Sequence, residues 1–336
     1  MKVLFNCNVP YMLAHGGMQV QIEQTKAALE RVGVTVEPLR WWDDTQTGDV
    51  LQHFGRFPTH LIRLAHRKGM KVVVLDLLTE QGSRSRARLK LQKIVRCAME
   101  LALSSRRLAA FNWDSFRLAD ACLAGTEWEV FLMRELFGAP AEKTHVLPNG
   151  VEEVFLNSQP VKRGPWLVCT GTITERKRML ELAEAAVRAQ TPVWIIGKPY
   201  SEGDPYAQRF LAYANEHPQI IRYEGPIQDR ARLAQAYREA RGFVLLSTME
   251  TLSLSSFEAA ACECRLLLSR LPWATTVFRH KACYCPITRS VARTAEVLRQ
   301  FYDAAPDLPL PPRPPTWLEV GQQLKRLYET VLATSR

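Results

Sequence analysis

No apolar run in this chain of 336 residues approaches the roughly 20 residues needed to cross a bilayer, so a membrane span is not expected. The start, MKVLFNCNVP, carries one lysine and then a short β-like run. It lacks the longer apolar core and small-residue cleavage site of a secretory signal, and the expected location is cytoplasmic. No G-x-G-x-x-G follows a strand-like segment, which speaks against a nicotinamide oxidoreductase. The basic residues are not interleaved with aromatics, so nucleic acid is not an expected partner. No internal repeat is present, and the one biased tract is the proline-rich span 305–315. The eight cysteines include two C-x-C pairs, Cys262 with Cys264 and Cys283 with Cys285. Common zinc sites use C-x2-4-C spacing, so no metal is expected. Reduced, mostly buried thiols acting as small hydrophobes are the expectation.

What is present is ordinary globular composition, 47% apolar and 23% charged, on a length typical of two domains. A net charge of +10 implies anionic partners without choosing among nucleotide phosphates, acidic lipid headgroups and nucleic acid. The first half alternates strand-like runs (2–7, 35–39, 49–53, 71–75, 121–124, 145–147) with helical periods (17–32, 59–68, 87–104, 129–137). After a Pro-, Asn-, Gly- and Ser-rich stretch, 148–165, the alternation restarts. Strand-like runs now fall at 166–169, 192–196, 220–223, 243–246 and 265–269, with helical segments between them. Strands separated by helices predict parallel βαβ units. A last amphipathic helix, about Trp317 to Leu332, puts Trp317, Val320, Leu324, Leu327 and Val331 on one face.

The densest chemistry lies in FVLLSTMETLSLSSFEAAACECRLLLS. A buried-strand run from Phe243 to Leu246 leads through a polar turn into a helix opening near Ser253. Glu250 lies in the turn, and Glu258 lies about one turn inside the helix. Open α/β sheets bind ligands beyond the carboxyl ends of their strands, and helix N-termini favour phosphate. A carboxylate beside them suits sugar or ribose hydroxyls, since it accepts two strong hydrogen bonds. An acid near an ordinary helix start is the plainer alternative. Earlier, Thr170 to Arg178 places Gly171 in a loop that brings Arg176, Lys177 and Arg178 to a helix start. Cations there oppose the helix dipole unless an anion is present, although an exposed basic turn is the simpler alternative. Gly16 and Gly17, between the first strand and the first helix, permit close backbone approach to a ligand or merely make a turn.

The Glu250–Glu258 segment resembles the E-x7-E motif of retaining GT-B glycosyltransferases, in particular the GT4 (glycosyl transferases group 1) family. Both glutamates match, and so does the trail Phe257-Glu258-Ala259-Ala260-Ala261-Cys262. Thr251, Ser253 and Glu263 stand where the family has glycines. His15-Gly16-Gly17-Met18-Gln19 resembles the family's N-terminal G-G loop, and Val146 to Val151 its interdomain I-P-N-G-V segment. In the segment after Thr170, Lys177 matches the family's diphosphate-binding lysine. Thr172 stands at its arginine, leaving Arg176 or Arg178 as replacement.

The resemblance implies an α/β GT-B fold, two Rossmann-like domains facing across a cleft with the last helix crossing back to the first. The corresponding bounds are 1–150 plus 317–336 for the acceptor-side domain and 151–316 for the nucleotide-sugar domain. It implies transfer of a sugar from a UDP- or GDP-linked donor to a glycan or lipid-linked acceptor, with retention and without a metal or other cofactor. Lys177, Glu250, Arg176, Asp76 and His53 would then be catalytic. Gly16, Gly17, Gly171, Gly197, Gly225, Ser253, Leu254 and Glu258 would bind the donor. Of the family's N-terminal His-Asp pair only Asp76 is matched, Leu75 standing at the histidine, while His53 matches another common histidine. These departures keep two alternatives open: a nucleotide-sugar epimerase or hydrolase on the same fold, and a non-catalytic GT-B-like partner subunit.

Between Ser83 and Arg107 eight cations face one acid, Glu100. Within that segment Leu91, Ile94, Val95, Ala98, Met99 and Ala102 recur at helical spacing. Such a helix either buries its stripe against the sheet, which core packing favours, or lies on an anionic membrane surface. The second case would place the protein peripherally at the inner membrane face.

Overall fold

The computed structural model describes residues 1–8, 16–104, 111–157 and 161–334. The chain divides into two compact units, Met1–Gly150 with Pro315–Arg336, and Val151–Pro314. Each is built on a six-stranded, all-parallel sheet flanked by helices.

In the first unit the strands are β1 (Lys2–Cys7), β2 (Thr35–Pro38), β3 (Val50–Phe54), β4 (Lys71–Leu75), β5 (Ala121–Ala124) and β6 (Thr144–Val146). Their order is β2-β1-β3-β4-β5-β6. Parallel strands covered on both faces require continuous apolar runs, and Val72, Val73, Val74 and Leu75 are all buried. The direction of travel through the sheet reverses between β1 and β3, so a crevice opens there at the carboxyl edge. The last helix, Trp317–Ala333, belongs to this unit and starts with a capping box between Thr316 and Glu319. Its Gly321 lies so close to Ala28 that an added Cβ would stand 2.9 Å from that residue's backbone. Tyr328 donates a buried hydrogen bond to the Gln52 side chain on β3, which fixes the helix lengthwise.

In the second unit the strands are β7 (Leu167–Thr170), β8 (Val193–Ile196), β9 (Ile221–Tyr223), β10 (Gly242–Leu245), β11 (Leu266–Ser269) and β12 (Cys283–Cys285). The order is β12-β11-β10-β7-β8-β9, the doubly wound Rossmann arrangement with its switch point between β7 and β10. The loops leaving β7, β8 and β9 are pinned backbone to backbone. Gly171 N donates to Ile196 O at 3.0 Å, and Gly197 N donates to Gly225 O at 3.1 Å. Gly197 has φ +155°, and a Cβ there would fall 1.9 Å from the Gly171 carbonyl oxygen, so only glycine fits. Strand β12 and the helices Pro272–Phe278 and Val291–Ala304 complete this unit; the sequence patterns above did not include them.

The helix Arg86–Ala102 corrects an expectation. Its only buried residue is Leu89. Leu91 is 62% exposed, Ile94 65% and Leu101 91%. It leans on the helix Glu127–Phe137, with Lys93 paired to Glu135 at 2.7 Å, and does not lay its apolar stripe against the sheet.

Candidate active site

The switch point of the second sheet gathers the charged residues. From β7 the chain passes Gly171 and enters a single turn, Glu175–Lys177, capped by the Thr174 hydroxyl accepting from Lys177 N. From β10 it passes Ser247 and Thr248 to Glu250, and Thr248 N donates to Arg176 O at 2.9 Å, tying the two loops together. Arg176 Nη1 donates to Met249 O at 2.7 Å and to Glu250 Oε1 at 3.0 Å, while Lys177 Nζ donates to the same carboxylate oxygen. Burial opposes ionisation of Glu250, but the charges of Lys177 and then Arg176 outweigh it and hold its pKa below the usual value. Arg178 turns away: at φ +56° it starts the next helix and donates to Thr288 O at 2.6 Å. Of the two candidate arginines, Arg176 therefore joins the Lys177–Glu250 cluster and Arg178 does not.

The helix Leu254–Ala261 opens beside this cluster, with Ser253 at its N-cap accepting from Ser256 N. The N–H groups of Leu254 and Ser255 precede the first intrahelical bond and are offered beyond the end of β10. One turn further in, Glu258 accepts from Arg230 Nη2 and, at 3.2 Å, from Tyr237 Oη. Because the phenol donates to Glu258, the Thr170 hydroxyl at 2.6 Å is the donor to Tyr237. Glu258 is thereby linked to the end of β7, next to Gly171. Arg230 also donates to Glu152 at 2.7 Å and lies over the Phe155 ring, 4.7 Å from its centroid.

Thus Arg176, Lys177 and Glu250 come together, Gly171 lies beside Lys177 with Gly197 and then Gly225 in succession behind it, and Ser253 caps the helix that carries Leu254 and Glu258. Sequence reasoning missed Arg230 and Tyr237. A signal existed for Arg230, which is a cation at the first position of a helix (Arg230–Glu239), the same anomaly that drew attention to Lys177. The first C-x-C pair bonds to the backbone of the same residues: Cys264 Sγ donates to Tyr237 O at 2.7 Å and Cys262 Sγ to Phe155 O at 3.4 Å. Burial pushes their thiols up to about 11 and about 12. Among the described residues no group of three or more His, Cys, Asp or Glu converges as metal ligands would.

The first unit holds the remaining candidates. Gly16 precedes the helix Gly17–Arg31, and among the described residues nothing lies within 4 Å of where a Cβ would stand; His15 lies outside the described residues. His53 is buried at the end of β3, where Nδ1 accepts from Asn6 Nδ2 at 2.7 Å and the ring stacks on Phe57 at 4.4 Å. Burial pushes its pKa down to about 4, so the ring is neutral at physiological pH. Asp76 follows β4 and faces Arg56 Nη2 at 3.5 Å. Burial raises the Asp76 pKa and the Arg56 charge opposes that rise. Arg56 itself sits over the Phe137 ring, 4.1 Å from the centroid.

Nearby, Glu129 is fully buried and accepts from Leu78 N at 3.1 Å and Thr126 Oγ1 at 3.0 Å. Burial, reinforced by Asp76, pushes its pKa up to about 8. A carboxyl whose folded pKa is raised binds its proton more tightly folded than unfolded, so stability falls as pH rises through that window. Glu129→Gln should therefore gain stability relative to the wild type between about pH 4.5 and about pH 8, and hold that gain above it. Melting curves of both proteins across pH 4–9 check this; a constant difference would contradict it.

A family model described as Glycosyl transferases group 1 matches residues 164–303, most of the second unit. A comparison with curated proteins gives no match. Among solved structures, Anabaena Alr3699/HepE in complex with UDP superposes with a TM-score of 0.66 at 14% identity, covering 98% of this chain and 100% of that one. Sucrose-phosphate synthase from Thermosynechococcus elongatus gives 0.66 at 15% identity, covering 99% and 100%. AviGT4, a glycosyltransferase involved in avilamycin A biosynthesis, gives 0.60 at 14% identity, covering 99% and 98%. At these identities the likeness is one of fold, and the fold is GT-B.

Proposed function

We propose that the chain is a retaining glycosyltransferase that transfers a sugar from a UDP- or GDP-linked donor to an acceptor hydroxyl without a metal. The observation that carries this is the meeting of Lys177, Arg176 and Glu250 at the switch point of the second sheet, beside a helix N-terminus and with Glu258 one turn behind it. The group 1 match over this unit supports it, as do the same-fold complexes of Alr3699/HepE with UDP and with UDP-glucose. In this proposal Lys177, Arg176 and the N–H groups of Leu254 and Ser255 stabilise charge developing on the leaving diphosphate. Such preorganised donors need no reorganisation as the reaction proceeds. Glu258, oriented by Arg230 and Tyr237, holds ribose hydroxyls, and Glu250 accepts from a hydroxyl of the donor sugar. Gly171, Gly197 and Gly225 keep the loops thin enough for the nucleotide to approach backbone. Asp76 is the acceptor-side carboxylate, while the buried His53 supports the strand ends.

The purified protein should release nucleoside diphosphate from a UDP- or GDP-sugar in excess EDTA when supplied with an acceptor. A stringent Mg²⁺ or Mn²⁺ requirement would contradict the metal-independent mechanism. Among the described residues no helix is long and apolar enough to cross a membrane. The exposed stripe Leu91, Ile94 and Leu101, on a helix that also carries Arg86, Arg88 and Lys90, favours peripheral docking on anionic lipid and a lipid-linked acceptor. Each cation near such a surface contributes roughly 1 kcal/mol, screened by salt. Salt-sensitive co-sedimentation with anionic but not neutral vesicles is the expected result, and equal partitioning into both would contradict it.

A further inference from the structure

Two adjacent tryptophans stand in solvent at the carboxyl edge of the first sheet, where neither the fold nor the proposed donor site uses them. Trp41 is 57% exposed and Trp42 83%. They follow β2, which runs parallel to β1, so their loop leaves the same edge at which His53 and Asp76 end their strands. That is the edge where open α/β sheets take ligands.

The two occupy the corner positions of a β-turn closed by Asp43 N donating to Arg40 O at 3.1 Å. Turn corners ordinarily hold Pro, Asn, Asp, Gly or Ser, each for a conformational reason that tryptophan does not share. Turn formation therefore does not account for either residue, nor does burial. The frame around them is closely tied. Arg40 Nε and Nη2 donate to Asp43 Oδ2 at 2.9 and 2.8 Å, and Thr45 Oγ1 donates to Asp43 Oδ1 at 2.7 Å. Gln46 accepts from Arg40 N at 2.8 Å and donates to Glu37 at 3.1 Å, while Leu39 N donates to Phe5 O on β1 at 2.8 Å. The indoles are thus presented on a preorganised support, which lowers the ordering cost of binding.

The surroundings select the ligand. Around residues 37 to 49 stand Glu37, Asp43, Asp44 and Asp49 against two cations, Arg40 paired with Asp43 at 2.8 Å and Lys2 of β1 paired with Glu37 at 2.9 Å, so the loop keeps an excess of acid. An acidic loop repels an anionic membrane surface. A pyranose ring offers a face of polarised C–H groups that suits the negative face of an indole, and hydroxyls around its rim that donate to carboxylates such as the exposed Asp44.

We propose that Trp41 and Trp42 form a stacking platform for neutral hexopyranose rings of a glycan acceptor. The acceptor role rests on the glycosyl transfer proposed above; the saccharide site does not. The test follows the indole N–H signals of ¹⁵N-labelled protein, with Trp41→Ala and Trp42→Ala identifying the two resonances. Maltose, cellobiose, mannobiose and diacetylchitobiose are titrated in turn, and phosphatidylcholine/phosphatidylglycerol vesicles separately. At least one disaccharide should shift both signals with a dissociation constant on the order of 1–10 mM, the range of a small contact surface. Trp42→Ala should weaken that binding at least about tenfold and Trp42→Phe less, with UDP-induced thermal stabilisation unchanged in both. Both signals staying unmoved by all four sugars, or moving only with vesicles, would overturn the proposal. UDP binding without any sugar response defeats the platform alone. A sugar response without UDP or GDP binding upholds the platform and defeats the donor site.

Discussion

Lys177→Ala should lower donor turnover a few hundredfold while the protein stays folded. Lys177 Nζ sits on the Glu250 carboxylate at the switch point, where a diphosphate would lie against the helix N-terminus. Removing one preorganised donor to a developing negative charge costs about 2.7–4 kcal/mol of transition-state stabilisation. The ground state should be affected less. Glu250 keeps Arg176 at 3.0 Å, so its buried charge is not orphaned, and the melting temperature should fall only modestly. Lys177→Arg should recover part of the rate, because the charge remains but the compact ammonium geometry does not. Near wild-type turnover in the alanine variant would sink the assignment of Lys177 to the leaving group.

The second large effect separates the two glutamates. Glu258→Ala should weaken binding of free UDP or GDP, since the carboxylate is proposed to hold the ribose. Loss of a hydrogen bond to a charged group costs about 1.5–3 kcal/mol, a change of roughly 10- to 150-fold in dissociation constant. Arg230 is left without Glu258, but it is partly exposed and keeps Glu152 at 2.7 Å, so the fold should survive. Glu250→Ala should leave free diphosphate binding nearly intact and impair use of the sugar-linked donor. Titration of both variants with UDP and GDP, then with the sugar-linked forms, checks the division of roles. Loss of free-diphosphate binding in Glu250→Ala alone would reverse it.

The α/β fold was legible because parallel strands buried on both faces read as unbroken apolar runs such as Val72 to Leu75. Strand β12 was not, since three residues, Cys283-Tyr284-Cys285, ahead of a proline carry too little periodicity. In the helix Val291–Ala304 the buried positions include Thr294 and Ala295, which blur the apolar stripe. The Arg86–Ala102 helix shows a different limit. Its periodicity is the same whether the stripe is buried or exposed, and only the packing, with Leu89 alone buried and Lys93 paired to Glu135 of the neighbouring helix, decides which. At the site, Lys177 announced itself as a cation at a helix start and Glu250 as an acid in the turn after a buried strand. Their partnership spans 73 residues, as that of Arg230 with Glu258 spans 28, and no local spacing encodes either pair. The choice between Arg176 and Arg178 turned on one backbone angle, the positive φ of Arg178, which swings its side chain to Thr288.

The most direct test is the shift in melting temperature produced by UDP and GDP in EDTA, on the wild type and on Glu258→Ala. A ligand at one hundred times its dissociation constant stabilises by about 2.7 kcal/mol, a rise on the order of 5 °C or more for a unit of this size. The expected result is such a rise with one of the two nucleotides in the wild type, lost or much reduced in Glu258→Ala. No shift with either nucleotide, or an equal shift in wild type and variant, would contradict a nucleotide-sugar site at the β7–β10 switch point.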